Sequence, residues 1–577
     1  MSKFQSYLNR IVPGLSREEL ADFVIALSRK LPEESHNMFL RELERVRRTA
    51  HPEPPNKQGE WNPSRLRTEL VQVRERLEAI EDGELVLDSE FGPGKWDWDE
   101  YDLEDYVFSD PMGVGDLLEQ AASLVSRLMA AGMPEEASEL TLRLLDVKVV
   151  ITGDGEEEEG LCMEDLLEVG IVSQRVRYQL IEGLSVLYSM EPTAERVAAL
   201  FDVLCSGSLS VTLKDLLRGR EQDAEHNRRF LHLWMQLAGD SDRTTSESLL
   251  TEAVSALTEG AETLSLVQRY GAAHPGLYEW LLTPGNWSNA PDRLLTAGEE
   301  ALSELKSTGV KYAEIALLCA DAALQLEQKS RAEGFWLEAF QSEPEALNLL
   351  RLVAESEDYN CYRARVEEIA AKVNEERRLR EDGSNNPYIQ RMLLSEEMEL
   401  AFVSGDFPRV LLEGLSCEEY LGWSLTPIKM YIDFLLFALD SFGEASALEE
   451  VWISVGGWLG FNTLEYHKGL NRRTTGDGKD ELKRCLRRWK EHHPVTPLLR
   501  EAALERLEPL LSYRTEAIVR NGRRNYYREC ARWLAALGMI QEANGAWNAQ
   551  NAIIDRYEAR YPRHSAFRRE LESYRKR

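Results

Sequence analysis

The apolar residues of this chain recur with a period near 3.6, and that period restricts the fold to packed helices. In Glu481–Lys490, the residues Leu482, Cys485, Leu486 and Trp489 fall at i, i+3, i+4 and i+7. Lys483, Arg484, Arg487, Arg488 and Lys490 take the other positions. Similar stripes run through Leu117–Met129, Glu135–Leu145, Tyr312–Leu326, Ala332–Phe340, Glu397–Val403, Tyr526–Leu537 and Ala549–Tyr561. Gly132 with Pro134, Gly309, Pro344, Gly405 and Gly538 stand between stripes, where helices stop. Strand alternation is rare; Glu84–Leu87 and Val147–Ile151 are the best short stretches, and neither carries a strand assignment. The expected fold class is all-α, more than about 60% helix, arranged as an irregular α-solenoid of helical hairpins with a smaller basic C-terminal helical unit.

Charge divides the chain. Of 577 residues, 68 are basic and 100 acidic, a net charge of −32. Residues 1–50 carry +2, residues 51–470 carry −44, and residues 471–577 carry +10. An acidic surface of this size repels nucleic acid and anionic lipid and steers basic partners toward it. The N-terminal sequence MSKFQSYLNRIVPGLSREEL lacks the apolar core of a signal peptide, and no apolar run approaches the ~20 residues of a membrane span. The seven cysteines are scattered and form neither CxxC nor CxC, so neither a disulfide framework nor a zinc site is expected. These features lead to the expectation of a cytoplasmic protein with reduced thiols.

Composition breaks divide the chain further. Residues 1–50 read as an N-terminal helical segment and 51–64, with Pro52, Pro54, Pro55 and Pro63, as a linker. Residues 65–110 read as a helix plus an acidic aromatic segment, 111–380 as an acidic α-solenoid, and 381–471 as further solenoid helices. The stretch 472–480, with Gly476 and Gly478, reads as a second linker before a basic helical unit at 481–577.

Several helix pairs resemble tetratricopeptide repeats. Ala332, Trp336 and Ala339, followed by Pro344, match the small, aromatic, small, proline order of the second repeat helix. Gly132 with Ala137, Gly405 with Phe407, and Gly538 with Ala543 and Trp547 supply further pieces. The spacing between these starts is not constant, which is why the solenoid is expected to be irregular. At the C-terminus, NYYRECARWLAAL and IIDRYEARYPRHSAFRREL are similar to the helical region of bacterial SWIM-type zinc-finger proteins. The metal motif of that family is absent, so the resemblance implies an interaction scaffold and no zinc ligand.

Motifs for chemistry are missing. The sequence contains no Walker loop, no HExxH and no GxSxG, and GPGKWD at 92–97 breaks the dinucleotide pattern. DWDEYDLEDYVF is as acidic as a calcium loop but has Asp102 where glycine is required and Phe108 at the position of the closing glutamate. No catalytic residue, metal or cofactor is nominated, and the expectation is a protein that is not an enzyme. Two candidate surfaces stand out. Trp96, Asp97, Trp98, Asp99, Tyr101 and Tyr106 place aromatic anchors among carboxylates, a composition suited to a basic, apolar partner groove; the alternative is that the rings pack on their own helices. Arg484, Arg487, Arg488, Arg523, Arg524, Tyr527 and Arg528 form basic patches suited to a polyanion; the alternative is that the acidic body of the same molecule neutralises them. The favoured function is a scaffold or regulator that sequesters a basic, nucleic-acid-binding partner on its acidic solenoid, with control through release or proteolysis of the C-terminal unit. Nucleic-acid binding through the C-terminal helices alone is the second reading, and an enzyme with an unrecognised site the third.

Overall fold

The computed structural model describes residues 62–91, 106–153, 160–217, 224–256, 260–305, 309, 311–382, 387–416, 426–440, 446–472 and 478–575. Among these it is 75% helical, with 26 α-helices and one three-stranded sheet, so the expected all-α, solenoid-like class holds. None of these helices is long and apolar enough to cross a membrane. The six cysteines within the described residues carry free thiols. The contacts divide the chain into two compact units, 1–259 and 260–577.

In the first unit, α1 (Pro63–Glu81) begins where Asn62 accepts the Ser64 amide hydrogen at 3.0 Å and Pro63 occupies the first helical position. Leu66, Leu70, Val73, Leu77 and Ile80 form its buried stripe. Next come β1 (Leu87–Phe91), β2 (Tyr106–Ser109), α2 (Val114–Ala130), α3 (Pro134–Asp146) and β3 (Ile151–Gly153). The unit continues with α4 (Met163–Glu168), α5 (Gln174–Ser189), α6 (Ala194–Ser206), α7 (Leu213–Leu217), α8 (Ala224–Gly239) and α9 (Ser246–Ser255). The sheet runs β2-β1-β3, antiparallel then parallel. The two weak strand stretches of the sequence therefore border real strands: Leu87 opens β1 and Ile151 opens β3. Asp110 caps α2 by accepting the amides of Val114 and Gly115, both at 2.8 Å. Helices α3 and α5 approach so closely at Gly183 that a Cβ there would stand 2.1 Å from Thr141 Oγ1.

The second unit comprises α10 (Gly260–Tyr270), α11 (Gly276–Leu282), α12 (Pro291–Glu304), α13 (Tyr312–Gln325), α14 (Lys329–Ser342), α15 (Ala346–Glu355), α16 (Asn360–Asp382), α17 (Pro387–Val403) and α18 (Phe407–Ser416). It continues with α19 (Thr426–Leu439), α20 (Ser446–Trp458), α21 (Thr463–His467), α22 (Gly478–His492), α23 (Pro497–Arg520), α24 (Tyr527–Ala543), α25 (Ala549–Arg560) and α26 (Ser565–Ser573). Successive helices pair as hairpins, and Ala332, Trp336 and Ala339 are buried where α14 packs. Trp336 also donates to Gly469 O at 2.7 Å. Trp547, one of the repeat-like aromatic positions, stands 93% exposed in the turn before α25 and so does not pack between helix pairs.

The basic C-terminal helices do not stand apart. The stripe Leu482, Cys485, Leu486 and Trp489 is buried within this unit, and Trp489 donates to Val403 O at 2.8 Å beneath a Phe402–Phe434 stack. Asp433 of α19, fully buried, accepts from Trp458, Trp533, Ser454 and Arg532, joining α19, α20 and α24. Lys490 lies over Phe437 and, with Arg500, donates to the last carbonyls of α19, the end where a helix dipole favours cations. The fold divides at 259/260 and not at the charge step of 472–480, because the apolar stripes of 481–540 complete a core begun by 346–458.

Candidate functional site

A cavity inside the second unit is lined by a group of glutamates. Glu314 projects from the first turn of α13, Glu343 and Glu345 flank Pro344 between α14 and α15, Glu396 and Glu399 come from α17, and Glu465 from α21. Together they line a cavity of about 560 Å³ whose basic lining residues are Arg351, Arg377 and Lys468. Most of the basic groups near it are occupied. Arg351, 1% exposed, donates to Tyr466 O, Glu465 O and Asn348 Oδ1. Arg377 pairs with Glu396 at 3.3 Å, Lys468 with Glu465 at 2.7 Å, and Lys311 with Glu314 at 2.7 Å. Glu343, Glu345 and Glu399 have no ion-pair partner among the described residues.

The electrostatics follow from that shortage. Burial pushes the Glu399 carboxyl up to about 7; Arg377 opposes the shift, and Glu396 and Glu345 add to it. Glu343 is also raised, first by burial and then by Glu345 and Glu314. A carboxylate removed from water without a counter-ion is costly, so a cation entering this cavity would relieve both groups. Among the described residues, the lining side chains offer more carboxylate acceptors than unengaged donors.

A second acidic group has another explanation. Glu355, Glu481 and Cys485 place three possible metal-binding atoms within 4.8 Å of one another. Arg472 and Arg484 both donate to Glu355 and Glu481, and Tyr466 donates to Glu355 at 2.8 Å. Burial pushes the Cys485 thiol up to about 12. Two guanidinium groups already neutralise these carboxylates, so the cluster reads as an internal ion-pair network that ties α22 to α15.

Of the residues singled out from sequence, Trp96, Asp97, Trp98, Asp99 and Tyr101 lie outside the described residues. Tyr106 is half-buried in β2, its ring 6.2 Å from that of Phe108. The basic candidates separate into two groups. Arg484 belongs to the network just described, Arg488 pairs with Glu491 at 3.0 Å, and Arg487 is exposed on α22. Arg523 and Arg524 are exposed; Arg528 pairs with Glu450 at 3.1 Å. Tyr527 is 4% exposed and packs on Phe567 at 5.4 Å, so it offers no free ring for stacking. Sequence reasoning missed the glutamates of the cavity. They come from four separate elements across 314–465, and their only signal in the sequence was the overall acidity of the region.

No family model matches the chain, and a search of the curated proteins finds no match.

Proposed function

We propose that this chain is a non-enzymatic protein-binding scaffold that holds a basic partner through its acidic helices, with the cavity lined by Glu343, Glu345 and Glu399 as the seat for a lysine or arginine side chain. The observation that carries the reading is a cavity of about 560 Å³ lined by the partly buried carboxyls of Glu343 and Glu399, both raised by burial, and by the exposed Glu345, none of them in an ion pair among the described residues. The −44 charge on residues 51–470 supports it, since such a field accelerates the approach of basic surfaces. Release of residues 481–577 forms no part of the proposal, because those helices contribute Trp489 and Trp533 to the core.

The test is titration of the full chain with an arginine-rich peptide by calorimetry. Binding is expected at ~0.1 M salt and should weaken strongly toward 1 M, as the Debye length shrinks from ~10 Å to ~3 Å. The pH dependence has a defined sign. Glu399, raised to about 7, is largely protonated at pH 6 and ionised at pH 8, so affinity for a cation should rise across that interval. Affinity that is flat in both salt and pH would contradict the proposal.

A further inference from the structure

The end of the second unit where α23 and α25 finish and α24 and α26 begin carries the opposite charge. Tyr527 against Phe567 and Phe567 against Tyr561, at 5.8 Å, bring the two helix starts together. Around this ring cluster Arg523, Arg524, Arg528, Arg563, Arg568 and Arg569 are all exposed. Arg524, Arg563, Arg568 and Arg569 have no carboxylate partner among the described residues, in contrast to Arg484 and Arg488 on α22. From Glu491 to Arg575 the chain has fourteen arginines and no lysine. Some of these guanidinium groups serve the interior, as Arg532 does at Asp433 and Arg514 at Glu529. The four without partners have no such role.

We infer that this arginine pole is a binding surface for the phosphodiester backbone of a nucleic acid. Guanidinium groups match phosphate oxygens with paired donors, which a lysine ammonium does not. The starts of α24 and α26 point their positive dipole ends to the same pole. Tyr527 is buried beneath the arginines, so contacts fall on phosphates and carry little sequence preference. The negative field of the remaining surface confines a polyanion to this end of the unit. The surface is separate from the glutamate cavity, and its test does not depend on that cavity.

The experiment uses fluorescence anisotropy of the full chain with labelled single-stranded RNA and with duplex DNA, each about 20 nucleotides long. Binding of either is expected at ~50 mM salt, falling steeply by ~200 mM. The double variant Arg524→Glu, Arg568→Glu should weaken binding more than about tenfold and lower the salt slope for RNA by about 1.4. The double variant Arg487→Glu, Arg488→Glu, which carries the same charge change on α22, should bind nearly as well as the parent. Circular dichroism of both variants reports whether the fold is intact; neither Arg524 nor Arg568 holds a partner whose loss would disturb it. Absence of binding at the lower salt overturns the inference, as does equal weakening by the two variants. Displacement of RNA by polyglutamate at equal charge concentration overturns it in favour of an acidic protein partner.

Discussion

Replacing Asp433 with alanine should destabilise the second unit by about 3–5 kcal/mol, the range for removing one partner of a buried charge pair. Asp433 is fully buried, and it receives Trp533 Nε1 at 2.7 Å, Trp458 Nε1 at 2.9 Å, Arg532 at 3.0 Å and the Ser454 hydroxyl. Alanine would leave the Arg532 guanidinium, itself largely enclosed, without its counter-charge and two indole N–H groups without acceptors. The substitution Asp433→Asn keeps an acceptor of similar shape while losing the charge, so its stability should fall between that of the alanine variant and the parent. Urea unfolding followed by tryptophan fluorescence measures both. A loss below about 1 kcal/mol for the alanine variant would mean that the four donors find other acceptors.

A larger effect is expected from removing residues 478–577. The deletion takes Trp489 from its stack on Phe402 and Trp533 from Asp433, and it leaves Glu355 without Arg484. It also strips cover from Phe437 of α19, fully buried in the intact unit with its ring 5.6 Å from that of Trp489 and Lys490 over its face. Burial of one such side chain contributes about 1.5–3 kcal/mol, so losing several is comparable to the whole ~5–15 kcal/mol that typically separates a folded domain from its unfolded chain. The shortened chain should show no cooperative unfolding transition for residues 260–472. A soluble, cooperatively melting product would mean that the C-terminal helices are an accessory and that the core closes without them.

The helices were legible in the sequence because amphipathic periodicity is a local property. The stripe Leu482, Cys485, Leu486 and Trp489 is buried as its spacing requires, and Gly132 and Gly405 stand in left-handed turns between helices as expected. Packing partners were not legible. Charge suggested a boundary at 472–480, yet charge describes the solvent-facing residues, whereas the apolar face of the same helix decides what it packs against. Arg484 illustrates the difference: its basic neighbours suggested a polyanion surface, and Glu355, 129 positions earlier, neutralises it in the fold. The short sheet was missed because Leu87–Phe91 and Tyr106–Ser109 are brief and gain their stability from pairing across a long separation. Glu399 shows the same limit at the cavity. It lies in an ordinary helical stripe, and only the approach of α13, α15 and α21 turns it into a partly buried carboxyl that has no direct ion pair among the described residues.

The most direct measurement of the central claim is calorimetric titration of the full chain and of its Glu343→Gln, Glu345→Gln, Glu399→Gln variant with the same arginine-rich peptide at pH 8. Glutamine preserves the size of each side chain and removes the charge that the cavity offers a cation. The variant should keep its helical content, gain stability from losing partly buried charge, and bind the peptide at least about tenfold more weakly, since each charge-assisted contact is worth ~1.5–3 kcal/mol. Unchanged affinity in a folded variant would contradict the assignment of this cavity as the seat of a basic partner.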